Sequence, residues 1–142
     1  MTTASETNYD VAVANWAKIG FYSTAIIINI CLIAQVLTVG VAYFTDPAWW
    51  TIHVWLVRGY GGLSLLLLIG SFIAPFSDRI RALAASLPML LALQFCSIHL
   101  KTPFHLEVLH PLIGFTLFYM SSSLVHRVSR DYIKHGGEKD VA

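Results

Sequence analysis

The stretch FYSTAIIINICLIAQVLTVGVAYF, Phe21 to Phe44, decides what kind of protein this is. Apart from Asn29, Gln35 and a few small hydroxyls it is apolar from end to end. A run of that length crosses a hydrocarbon core of roughly 30 Å at about 1.5 Å per residue. Thr45-Asp46-Pro47 is a turn signal that closes it. Working outward, three more apolar segments follow, at about 51–74, 82–100 and 106–125. The 142 residues are 56% hydrophobic and only 12% charged, where soluble domains carry about a quarter charged, so composition points to the membrane as well.

The expected fold is therefore all-α, an integral membrane four-helix bundle running up-down-up-down. Residues 1–17 are read as a polar tail that is loose or lies on the surface, 18–126 as the transmembrane domain, and 127–142 as a polar tail with a short helical extension. The first residues carry Glu6 and Asp10 rather than a basic segment, so no cleavable signal is expected there. Trp16 and Lys18 mark one interface, and Trp49 and Trp50 the other. Pro88 is expected to kink the third helix. Thr102 and Pro103 read as a cap and first turn, and Pro111 either starts the fourth helix near His110 or kinks a longer one.

Lysine and arginine in short loops set orientation. Lys18, Arg79, Arg81, Arg127, Arg130 and Lys134 fall on the side of the termini, and Lys101 on the other. Both termini are thus expected in the cytoplasm of a bacterium, with the chain multi-pass in its inner membrane. His53, His99, His105 and His110 then gather toward the outer face. A net charge of +1 offers no basic surface for nucleic acid. Cys31 and Cys96 make no metal-ligand spacing and read as buried structural thiols.

The two hairpins read as a repeat. Gln35 in the first helix precedes His53, which opens the second and is followed by Gly59-Tyr60; Gln94 in the third precedes His110, which opens the fourth and is followed by Gly114-Phe115. Repeated halves often hold a ligand between them. Ionisable side chains inside a bilayer are costly and are functional candidates by default. Two imidazoles at similar depth suit a haem iron, with Gly59, Gly61, Gly62 and Gly114 giving room for the macrocycle. The plain alternatives are headgroup hydrogen bonds for the histidines, close helix packing for the glycines, and ordinary interhelical bonds for Gln35 and Gln94. Arg58, inside the second helix, needs an anion, such as a haem propionate or Glu107, or else snorkels to the surface. A di-metal carboxylate centre at Glu107 and His110 lacks the further carboxylates it needs. No nucleophile-base set or phosphate loop appears, so the chain is not expected to be an enzyme by itself.

These placements (a glutamine in each odd helix, the His53, Arg58, Gly59, Tyr60 opening of helix two, and His110-Pro111 opening helix four) resemble an uncharacterised family of small four-helix bacterial membrane proteins. They are also similar to one half of haem A synthase, whose four-helix halves hold b-type haem between histidines that open the even helices. That resemblance, over about 21–126, implies haem b with His53 and His110 as axial ligands. Thr51 and Ile52 stand where the family's catalytic glutamate is expected, and there is one four-helix unit, so haem A synthesis is not implied. The expected function is electron transfer, between a quinol pool and an outer-side acceptor, or binding of haem or a small ligand. A second expectation, from a different class, is a non-catalytic subunit of a larger membrane complex, packed against partner helices, lipid or pigment.

Overall fold

The computed structural model describes residues 4–100 and 105–137. Four helices follow one another: α1 (Ala4–Phe44), α2 (Trp49–Ile73), α3 (Asp78–His99) and α4 (His110–Gly137), with a single 3-10 turn at Leu106–Leu109 before the last. No strand occurs among the described residues. Segments of 30, 25, 22 and 26 residues within them are long and apolar enough to cross a membrane. At about 1.5 Å per residue the shortest still exceeds a hydrocarbon core of roughly 30 Å.

Each helix packs on two neighbours, α1 and α3 both lying against α2 and α4, while the diagonal pairs α1/α3 and α2/α4 do not touch among the described residues. The result is a square bundle whose connections alternate between a near end, shared with both termini, and a far end. A single spine of buried side chains includes Ile28, Leu67, Ala84, Leu87, Leu117 and Leu124. Outward faces carry Ile30, Leu37, Leu66, Ile69, Phe72, Leu93 and Phe115, all exposed. A water-facing surface does not present such a continuous apolar girdle, whereas lipid solvates it at no cost.

The buried positions of the two hairpins coincide. With Gln35 laid on Gln94, Phe21 falls on Ile80, Ala25 on Ala84, Ile28 on Leu87, Leu32 on Leu91 and Thr38 on Ser97, and every one of these ten is buried. With His53 on His110, Tyr60 falls on Leu117, Ser64 on Ser121, Leu67 on Leu124 and Ser71 on Val128, again all buried. The repeat therefore extends well beyond the polar residues that first suggest it.

Small and hydroxylated side chains let the backbones approach. Ser64 and Ser71 return their protons to Gly61 and Leu68 carbonyls three residues back, at 2.7 and 2.6 Å, and so add no unpaired donor to the core. Asn29 Nδ2 donates across the bundle to Ser122 Oγ at 2.9 Å and Ser121 Oγ at 3.3 Å, tying α1 to α4. At the near end Phe76 packs on Phe21, ring centroids 4.4 Å apart, and anchors the α2–α3 connection.

Several boundaries differ from those read in the sequence. Residues 4–17 are helical, continuing α1, rather than a loose tail. α3 starts at Asp78 instead of near Ala82, because extended Ser77 precedes it and an acidic first turn suits a helix N-terminus. α4 starts at His110, which puts Pro111 in the first turn, where its missing N–H leaves no bond unmade. α3 continues unbroken through Pro88. Thr102 and Pro103 lie outside the described residues. Cys31 is half-buried, but Cys96 lies on the exposed face, not in the core.

Candidate functional site

The far end of the bundle gathers the polar groups. His53 sits in the opening turns of α2 and His110 opens α4, each half-buried. His53 Nδ1 lies 3.2 Å from Thr38 Oγ1 on α1, and His110 Nδ1 lies 3.4 Å from Ser97 Oγ on α3. The direction of these contacts follows from what the hydroxyls already do. Thr38 donates its proton to the Gln35 carbonyl at 2.8 Å, and Ser97 donates to the Gln94 carbonyl at 2.8 Å. Each hydroxyl has one proton, now committed, so its oxygen can only accept from the imidazole. This arrangement favours the Nδ1–H tautomer for both rings, in which Nε2 carries the lone pair.

That is the state in which a histidine binds a metal, with the other ring nitrogen fixed by an outer partner. It arises twice, once at the α1–α2 seam and once at the α3–α4 seam. Trp50 covers His53 edge-on, centroids 5.6 Å apart.

The glutamines complete each half. Gln35 Nε2 donates to the His53 carbonyl at 3.0 Å and so clamps α1 onto the first turns of α2. Gln35 Oε1 and Gln94 Oε1 are buried without a hydrogen-bond donor among the described residues. An orphaned buried acceptor costs about 1–3 kcal/mol, which a ligand or water bearing a donor would offset. Gly114 packs against Gln94: a Cβ there would lie 3.4 Å from Gln94 Nε2. Gly59 and Gly62 are exposed with open space around them, so they give room on the outer face of α2 instead.

Arg58 stands apart. Five residues separate it from His53, which puts it about 140° round the helix from the imidazole. Its guanidinium lies over the Trp55 ring, 5.1 Å from the centroid, and the side chain is exposed. Glu107 is not its partner, since that carboxylate accepts from His105 Nδ1 at 2.9 Å. His105 adopts a left-handed backbone, φ 48°, to make the turn, and His99 bonds its own helix at Phe95 O, 2.9 Å away. Neither joins the paired imidazoles, and no cluster of three or more His, Cys, Asp or Glu occurs among the described residues. A haem iron takes two protein ligands rather than a cluster of three.

The two hydroxyls are the residues that sequence reasoning missed. The signal was present, a Thr or Ser three residues after each glutamine, but it is one hydroxyl among many until the register is known.

Residues 35–100 match a family of unknown function, DUF6220. The match begins at Gln35 and takes in Thr38, His53, Gln94 and Ser97, while His110 lies beyond it. No curated protein and no solved structure matches the chain at a significant level. The likeness to haem A synthase accordingly rests on the placement of histidines and glutamines alone.

Proposed function

We propose that this protein is a membrane haem b protein in which His53 and His110 are the two axial ligands. The observation that carries the reading is the doubled tautomer lock, Thr38 on His53 and Ser97 on His110, which leaves two Nε2 lone pairs free. A bound haem supplies reversible one-electron chemistry at its iron. What the chain supplies is orientation: each hydroxyl fixes a ring plane and keeps Nε2 unprotonated, and Gln35 pins the helix turn that carries His53. Gly114 lets α4 lie close against Gln94 on α3. Arg58 is left out of the site, since it faces elsewhere on α2.

The same reading makes the histidine end the outer one. Lys18, Arg79, Arg81, Arg127 and Arg130 all lie toward the near end, and a basic end is retained in the cytoplasm. A site at the outer end would exchange electrons between a membrane quinol and an acceptor outside.

The test is a reduced-minus-oxidised visible spectrum of protein purified from cells with ample haem. Soret and α bands of a six-coordinate b-type haem are expected. Protein that carries no haem under those conditions would remove the cytochrome reading.

A further inference from the structure

A groove of about 360 Å³ runs down the outside of the bundle between α2 and α3. Arg58 and Phe95 stand at its far end, Gly61 and Ala92 open its middle, and Leu65 and Pro88 close it deeper in the bilayer. From Arg58 to Leu65 is seven residues, about 10 Å along the helix axis. Nearly everything along it is apolar. The exceptions are Ser64, whose hydroxyl is spent on the Gly61 carbonyl, and one guanidinium without an acidic partner among the described residues.

The direction of that guanidinium is informative. Arg58 lies about 12 Å along α2 from Trp50, too deep for an arginine to rest at bilayer level unaided. Trp55, over which it stacks, is nearer the far end of the same helix. The charge therefore snorkels up toward the headgroups and leaves the groove below it to hydrocarbon. A cation reaching toward the headgroups from the top of an apolar slot matches one kind of molecule in charge and in shape.

We propose that the groove holds an anionic phospholipid, its phosphate on Arg58 and one acyl chain along Gly61, Leu65, Ala92 and Pro88. The charge selects an anionic headgroup over a zwitterionic one, and the slot retains the lipid through purification. This site is distinct from the imidazole pair and does not rest on the haem reading.

Native mass spectrometry of the full chain in detergent tests it, using phosphatidylglycerol and phosphatidylcholine with identical acyl chains. Wild-type protein should retain phosphatidylglycerol about fivefold more than phosphatidylcholine, the preference one arginine near a surface provides. Arg58→Gln should abolish that preference and Arg58→Lys keep most of it. Gly61→Leu, at a position where a Cβ would meet no atom within 4 Å, should fill the slot and lower retention of both lipids. Equal retention of the two lipids by wild type, or a preference that survives Arg58→Gln, overturns the proposal. So does full retention by Gly61→Leu.

Discussion

The hydroxyls of Thr38 and Ser97 act on the imidazoles without touching anything else a ligand would touch, and this separates their effects from those of the histidines. Removing an outer partner of a metal-binding histidine weakens the metal by roughly 10–100-fold. Thr38→Val and Ser97→Ala should therefore each lower haem affinity within that range, measured by titration of apoprotein, while Thr38→Ser stays close to wild type. An effect of Thr38→Val on helix stability with unchanged affinity would count against the tautomer lock. The orphaned carboxamides make an opposite prediction. Gln94 Oε1 is buried without a donor, so Gln94→Leu should stabilise the haem-free protein by about 1 kcal/mol, read from its thermal or denaturant midpoint. A large loss of stability would mean that Gln94 makes a bond essential to the fold.

Among the helices, the four spans were legible in the sequence because apolar length specifies them: a lone apolar segment of about twenty residues satisfies its own backbone in hydrocarbon as a helix. The end of α1 at Phe44 follows from the Thr45-Asp46-Pro47 turn, in which Asp46 Oδ1 accepts from Ala48 N–H at 2.9 Å. Starts were harder to read. Asp78, Arg79 and Arg81 look like a charged loop, yet they form the first turn of α3, where Arg81 pairs with Asp78 at 3.5 Å and donates to Ser71 O on α2. The pairing of Gln35 with His53 and of Gln94 with His110 was visible as a repeat, since both members are rare polar residues in apolar runs. The hydroxyls between them were not, because serine and threonine are common in membrane helices and only the register shows which ones meet an imidazole. The same register makes Ala25 and Ala84 equivalent, both with almost no exposed surface. Ala84→Leu overpacks that position and should cost about 1–3 kcal/mol, visible as a lower unfolding midpoint in detergent.

At the scale of the molecule, duplicated hairpins give a bundle in which the candidate ligands come from diagonal helices, α2 and α4, each ring backed by the odd helix of its own hairpin. Each hairpin contributes one of the two imidazoles that rest on a hydroxyl, so the proposed site would draw on the whole bundle. Orientation is tested by cysteine accessibility. Asp46→Cys, in a Cys31→Ser, Cys96→Ser background, should react with a membrane-impermeant thiol reagent added to intact cells, and a cysteine at Arg130 should not. Low-temperature electron paramagnetic resonance of the oxidised protein tests the paired-ligand site most directly. Wild type should give a low-spin ferric signal with bis-imidazole character, and His53→Ala and His110→Ala should each convert it to high-spin or lose the haem. A wild-type low-spin signal surviving in either variant would contradict the assignment of His53 and His110 as the two ligands.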